Sequence, residues 1–326
     1  MRTPPKFFIA GCGRSGTSLL RTMLNHHPDF FIPPECGFIT DYMLFGAKLP
    51  ASILCNLVLN EPELTLWFKN KDLLQFDENE NIFTLIEKIH AATLEKNGKK
   101  FWGQKTPRFI RYFKEFKKEY PELKLLFVVR DPRAVVHSFR SSPGFVSYIP
   151  EIVNRWIFDN KAGIAAINEF GADVMLIKYE DLISDTESTL KKASEFLHVP
   201  YSPQMLEYNK TGNKDYLAFN KKQLQKLAEK PDKTRIASWK NVLRNDEVRY
   251  IENRAAVLMD QFGYDRLTVD VHPASKSIHS FLDKNIDRFK KLFTFLTNRP
   301  GFLFYIAYRK LVLTVFNFSP APFFKI

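Results

Sequence analysis

The chain has 326 residues, enough for about two domains of ordinary size or one large α/β domain with insertions. Its 45% apolar and 26% charged residues exclude a disordered or collagen-like polymer. Lys and Arg outnumber Asp and Glu by 48 to 36, and the resulting +12 asks for an anionic partner: nucleic acid, an acidic membrane face or a polyanionic small molecule.

Lys6 to Ala10 reads as a short buried strand, followed by the glycine loop Gly11–Gly16 and then by Leu19, Leu20, Met23 and Leu24 at helical spacing. His27-Pro28 stops that helix, and Phe30 to Pro34 is extended. Residues 41–100 read as irregular amphipathic helix, with Leu64, Leu66, Trp67, Leu85, Ile86 and Ile89 as packing faces. After the extended piece Lys100–Gln104, Thr106 and Pro107 supply the N-cap and first position of a helix with Phe109, Ile110, Phe113 and Phe116 on one face. Leu123 to Val129 is a buried strand, and Asp131-Pro132 opens the next helix in the same manner. Val174 to Ile177 is a further strand, and Ser184-Asp-Thr-Glu187 has the form of a capping box for a helix through Leu197. Strands alternating with helices imply a parallel sheet covered on both faces.

From Ser275 to Ile326 the chain combines ten phenylalanines with Lys284, Arg288, Lys290, Lys291, Arg299, Arg309 and Lys310. Two readings stand for it: a helical pair packed on the domain, or a basic aromatic surface that meets a membrane. The expected division is residues 1–270 for the α/β unit, with a helical insertion near 41–100, and 271–326 for a helical extension. Cys12, Cys36 and Cys55 are too few for a disulfide framework and lack zinc-ligand spacing, which suits a reducing compartment or indifferent buried thiols. No signal-peptide pattern is visible, and no apolar run reaches the ~20 residues of a membrane span. A cytoplasmic protein is expected, with peripheral membrane contact left open.

The pattern Gly11-x-x-x-x-Gly16-Thr17-Ser18 stands between strand and helix, where a phosphate loop belongs. Its N–H groups and the helix N-terminus form an anion cradle. A nucleotide triphosphatase needs Lys after the second glycine; here that position is Thr17, and the basic residue, Arg14, lies inside the loop. The later strand ends in Arg130 before Asp131, an unpromising start for a magnesium site. The loop reads as anion-binding without the metal apparatus of phosphoryl transfer.

The segment Gly11-Cys-Gly-Arg-Ser-Gly-Thr-Ser-Leu-Leu20 resembles the 5′-phosphosulfate loop of the sulfotransferases that use 3′-phosphoadenosine-5′-phosphosulfate (PAPS). Val129-Arg-Asp-Pro-Arg-Ala-Val-Val-His-Ser138 resembles their 3′-phosphate element. Trp102–Pro107, Lys178–Leu182 and Thr234–Lys240 follow in the order and spacing of the family's remaining blocks, so the resemblance covers roughly residues 6–265. It implies a P-loop-like α/β fold with a parallel sheet flanked by helices, and transfer of sulfonate from PAPS to a hydroxyl or amine without a metal.

By that resemblance, Gly13, Arg14, Ser15, Gly16, Thr17 and Ser18 hold the sulfonate and 5′-phosphate, while Arg130 and Ser138 hold the 3′-phosphate. Both anion sites then stand at the carboxyl edge of the sheet, where such folds bind ligands. Lys105 is expected to stabilise the bridging oxygen of the leaving group, with Arg14 as a second cation. Cytosolic relatives carry a histidine two residues after that lysine, but here the position is Pro107. Glu35 matches the glutamate that tyrosylprotein and several bacterial-type sulfotransferases use as base, so the resemblance makes it the expected base here. Tyr179 is expected against the adenine or in the core, and Trp239 over the groove or buried. Lys233 and Arg235 are assigned to the 3′-phosphate, although the Arg-Lys-Gly of cytosolic members is missing. None of the seven histidines has partners suited to a metal or a Ser-His-Asp site.

Two other classes stand as alternatives. A P-loop kinase or NTPase is opposed by Thr17, and a non-enzymatic basic module for membrane or nucleic acid leaves two spaced anion elements unused. Nucleic acid is not an expected partner. The acceptor is open among carbohydrate, peptidyl tyrosine and a lipid head group, with carbohydrate first on family prevalence. Residues 41–100 and 141–170, with part of the tail, are read as its wall, with Phe38, Tyr42, Phe45, Phe145 and Tyr148 as aromatic candidates.

Overall fold

A computed structural model of the chain describes residues 3–69, 74–142, 147–209, 229–267, 285 and 300–317, the last stretch with side chains from 304 to 315. Strand β1 (Phe7–Gly11) leads into α1 (Thr17–Leu24), and after β2 (Phe30–Phe31) come α2 (Phe38–Phe45), α3 (Ala51–Leu59), α4 (Pro62–Thr65) and α5 (Ile82–Asn97). Strand β3 (Phe101–Lys105) is followed by a 3-10 segment (Pro107–Tyr112) and α6 (Phe113–Glu119). Next are β4 (Lys124–Val129), α7 (Pro132–Arg140), α8 (Ile149–Phe170), β5 (Val174–Lys178), α9 (Tyr179–Ser184) and α10 (Thr186–Phe196). Helices α11 (Thr234–Ala237), α12 (Asn245–Gln261) and α13 (Pro300–Asn317) follow.

The five strands form one parallel sheet in the order β2-β3-β1-β4-β5. The chain starts near the middle, builds one side and then the other. Strand order therefore reverses around β1, and the crevice this leaves at the carboxyl edge is where ligands bind in open α/β sheets. Side chains alternate as strand geometry demands. Phe8, Ala10, Leu125, Phe127 and Val129 enter one core, while Phe7, Ile9, Leu126 and Val128 enter the other. Helices α1, α9 and α10 cover the second core through Leu20, Met23, Leu182 and Leu190. Helices α5 to α8 and α12 cover the first through Leu85, Phe116, Val135, Trp156 and Ile251.

Local chemistry sets the helix ends, in places differently from expectation. Asp131 caps α7 by accepting the Arg133 N–H at 2.8 Å. In α10 the cap is Asp185, which accepts the Ser188 N–H at 3.3 Å, so the Ser184 capping box does not form. The segment after Pro107 begins as a 3-10 turn because the Thr106 hydroxyl is engaged elsewhere, accepting the Cys36 N–H at 3.1 Å. The 41–100 insertion resolves into separate helices rather than one irregular run, with α5 opened by a reciprocal Asn81–Thr84 cap. Phe38 and Tyr42 are buried, and the Tyr42 hydroxyl donates to Glu61 at 2.8 Å, so these two rings are core and not acceptor wall. Phe145 lies outside the described residues.

Helix α13 packs on the insertion. Arg309 donates to Asp41 at 2.5 Å and to Glu61 at 2.8 Å, Tyr305 donates to the Leu57 carbonyl, and Leu313 is buried. Lys284, Arg288, Lys290, Lys291, Arg299 and the remaining phenylalanine-rich parts of the tail lie outside the residues described with side chains. Among the described residues no helix is long and apolar enough to cross a membrane.

Gly163 lets α8 lie against the sheet, because a Cβ there would come within 2.1 Å of the Phe127 ring. Gly163→Ala is expected to cost about 2 kcal/mol through overpacking, read as a lower urea midpoint with unchanged slope. His90 stacks on Trp102 at 3.7 Å and donates from Nδ1 to the Ile86 carbonyl at 2.8 Å. Burial pushes its pKa down to about 3. Unfolding restores the ordinary ~6.5, so the unfolded chain binds the extra proton and stability falls as pH drops from about 6.5 toward 3. His90→Phe should flatten that part of the stability–pH curve, measured by denaturation across the range.

Candidate active site

The carboxyl ends of β1, β3, β4 and β5 each deliver a piece of the site. The loop after β1 turns on two left-handed residues, Arg14 at φ 70° and Gly16 at φ 97°. At Gly16 a side chain is excluded twice over, since a Cβ there would also sit 2.4 Å from the Tyr179 ring. Tyr179, just past the end of β5, is therefore part of the floor on which the loop rests. It is buried, in keeping with the packing reading, and its ring also carries the Arg130 guanidinium at 4.0 Å.

Arg130 stands at the end of β4. It donates to the Arg14 carbonyl at 3.2 Å and to the Arg235 carbonyl at 3.0 Å, and its own carbonyl accepts the Trp156 indole N–H at 2.9 Å. Arg14 in turn donates from Nε to the Ser138 hydroxyl on α7 at 3.1 Å. The sequence reading placed Arg14 beside Lys105 and Ser138 in a separate anion site. The left-handed turn at Arg14 instead brings its guanidinium to Ser138. Burial and the neighbouring Arg130 charge lower the Arg14 pKa to about 10, partly offset by Glu35 and Tyr179. Two like charges held together, Arg130 buried and Arg14 half-buried, leave an electrostatic deficit that an anion removes.

Beside them, the Ser15 hydroxyl and Arg130 Nε are buried without a hydrogen-bond partner among the described residues. Buried polar groups are rarely left in this state, because each forfeits the energy of a lost hydrogen bond. At the end of β3, Lys105 is 4% exposed at its side chain. Its ammonium meets Glu35 at 2.5 Å and donates to the Ser18 hydroxyl at 3.2 Å. The Glu35 side chain is 51% exposed, so one face of the carboxylate is open to an incoming group.

Arg14, Ser15, Gly16, Arg130, Ser138 and Tyr179 are thus brought together on one side, and Ser18, Glu35 and Lys105 on the other. Arg235 reaches the site through its carbonyl, while its guanidinium is engaged by Glu229 at 2.6 Å and Asp232 at 3.4 Å. Lys233 is exposed before α11. Trp239 is buried with the Arg133 guanidinium 4.1 Å from its ring, so it packs and does not close the groove. Among the described residues no cluster of three His, Cys, Asp or Glu is placed to hold a metal ion.

Arg155 and Asp159 were missed from sequence. A side chain at Gly13 would meet the Arg155 guanidinium at 3.6 Å. Asp159, buried, takes Arg111 at 2.5 Å and Arg155 at 3.7 Å. Burial, with the Asp159 charge, pushes the Cys12 thiol well above its usual range. The signal was present in Ile149, Ile152, Val153 and Trp156, whose spacing marks one buried helical face and so places Arg155 and Asp159 on α8.

A model of the sulfotransferase family matches residues 5–203. The chain is 27% identical over 277 residues to a protein-tyrosine sulfotransferase of Drosophila melanogaster, covering 81% of this chain and 52% of that protein. It is 24% identical over 264 residues to a putative protein-tyrosine sulfotransferase of Caenorhabditis briggsae, covering 79% and 88%. It thus spans about half the length of the Drosophila relative. Among solved structures, the sulfotransferase domain from the Synechococcus PCC 7002 olefin synthase superposes with a TM-score of 0.58 at 20% identity, over 81% of this chain and 97% of that one. That likeness establishes the fold.

Replacing Gly16 separates the two demands made on it. Gly16→Ala is expected to cost about 2 kcal/mol in urea denaturation through backbone strain and the Tyr179 clash. Adding Tyr179→Ala should relieve the clash and leave the backbone part, read as incomplete recovery relative to Tyr179→Ala alone.

Proposed function

The chain belongs to the sulfotransferase family, and from that membership we propose that it transfers sulfonate from PAPS to an acceptor hydroxyl. The observation that carries this reading is the half-buried Arg14 held against the buried Arg130, beside an unpartnered Ser15 hydroxyl. Both unpartnered donors and the excess positive charge fit a polyanionic nucleotide. In this reading the loop amides with Ser15, Thr17 and Ser18 hold the phosphosulfate end. Arg130, Ser138 and Arg14 hold the 3′-phosphate, and the two guanidinium groups suit its fork-like recognition. When bound, the donor supplies an activated sulfonate, whose transfer leaves adenosine 3′,5′-bisphosphate.

The residues of this chain divide the remaining work. Lys105, nearly buried, keeps a cation where negative charge develops on the leaving phosphate, and a water-poor setting strengthens that interaction. Glu35 receives the proton of the acceptor hydroxyl. The Lys105–Glu35 contact of the free protein sets both groups at one point, so the acceptor oxygen is directed to where the leaving group departs. Thr106, bonded to the Cys36 N–H, ties the Glu35 segment to the Lys105 strand and keeps that spacing.

For the acceptor we take peptidyl tyrosine first, ahead of the carbohydrate expected on prevalence. The relatives named protein-tyrosine sulfotransferases support this choice. Acid–base matching supports it as well: a phenol ionises near pH ~10, well below an ordinary alcohol, so a carboxylate is an adequate base for it.

The test is transfer of labelled sulfonate from PAPS to a tyrosine peptide and to an oligosaccharide, with a chelator present throughout. Transfer to the peptide is expected, with Lys105→Ala lowering kcat about 100- to 1,000-fold and Glu35→Gln about 100-fold or more. Both variants should still be protected by adenosine 3′,5′-bisphosphate in thermal shift. Magnesium-dependent ATP turnover without PAPS binding would replace this reading with the kinase class.

A further inference from the structure

Helix α13 is apolar on two faces. One packs on the insertion, with Leu313 buried and Arg309 held between Asp41 and Glu61. Phe304, Tyr308, Leu311 and Val315, by contrast, stand 72%, 55%, 58% and 59% exposed. Intervals of four, three and four residues put these side chains in a single stripe along the helix. Leu313 already fills the packed face, so this second stripe is surplus to the packing of the described residues. An aligned set of large apolar side chains left in water marks an interaction surface.

The composition around the stripe says what it meets. From Arg288 to Ile326 the chain has seven Lys and Arg, nine Phe, and neither Asp nor Glu, and of those cations Arg309 is neutralised by the carboxylates of Asp41 and Glu61. Two copies of so basic a segment repel each other, whereas an anionic lipid surface attracts it by about 1 kcal/mol for each basic residue near the head groups. We propose that α13 lies on an anionic bilayer surface, with Phe304, Tyr308, Leu311 and Val315 in the acyl boundary and the basic residues that flank it in sequence drawn to the lipid charge. The Arg309 contacts fix the domain to that helix, so binding positions the insertion of α2 to α5 close to the membrane. This inference does not depend on the chemistry proposed above.

The full chain is tested for co-sedimentation with phosphatidylcholine vesicles, with and without phosphatidylglycerol, at low and high salt. Binding is expected only to the anionic vesicles and should weaken as salt rises. Phe304→Ser, Leu311→Ser and Val315→Ser combined should reduce partitioning about tenfold or more. A cooperative urea transition of this variant with the parent's midpoint and slope checks that the domain is folded. The proposal is overturned if the parent binds neither vesicle, or if the triple variant binds as the parent does. It is also overturned if the parent is a dimer by light scattering that the triple variant splits, since the stripe then joins two copies.

Discussion

The site depends on two guanidinium groups that repel each other and are held together all the same. Arg14 comes from the loop after β1 and Arg130 from the end of β4. Desolvation first, and then their proximity, depress the Arg14 pKa, and the rest of the pocket is arranged to sustain the pair. The Arg130 fork is bonded to carbonyls from the loop and from the segment around α11, its face rests on Tyr179, and its backbone is tied to α8 through Trp156. The attraction of such a pocket for a multiply charged anion follows from this stored repulsion and from the unmet hydrogen bonds of Ser15 and Arg130.

Behind the site, the end of β4 is fixed by a second charged network. Arg133 is paired with Asp131 at 2.6 Å and with Glu252 of α12 at 2.5 Å, all three buried. Glu180 accepts the Asp131 N–H at 3.1 Å and the Tyr264 hydroxyl at 2.9 Å. Buried pairs of this kind contribute little net stability once desolvation is counted, but removing one partner leaves an uncompensated charge. Their effect here is positional: the strand end is bound to α7, α9 and α12 together, which gives Arg130 a rigid base.

The insertion and the last helix are linked by the same means. Asp41 takes Arg108 at 3.0 Å and Arg309 at 2.5 Å, so one carboxylate joins the segment after Lys105 to α13. Glu63, whose pKa burial raises to about 7, accepts the Phe38 N–H at 3.2 Å at the start of the helix that follows Glu35. The apolar stripe of α13 and the open face of Glu35 thus belong to neighbouring parts of one charged scaffold.

Much of this was legible in the chain itself. The alternation of apolar strands with capped helices announced a parallel sheet, and the glycine loop, Arg130 and Lys105 could be placed at strand ends, because strand period, proline and glycine act over a few residues. The side-chain partners could not be read in the same way. That Arg14 turns to Ser138, that Tyr179 supports Gly16, and that Phe38 and Tyr42 are core were all decided by packing between separate elements of the fold. Arg309 is the plainest case. As a letter in a basic tail it implied only charge, and its burial against Asp41 and Glu61 exists because the folded insertion presents two carboxylates that need a cation.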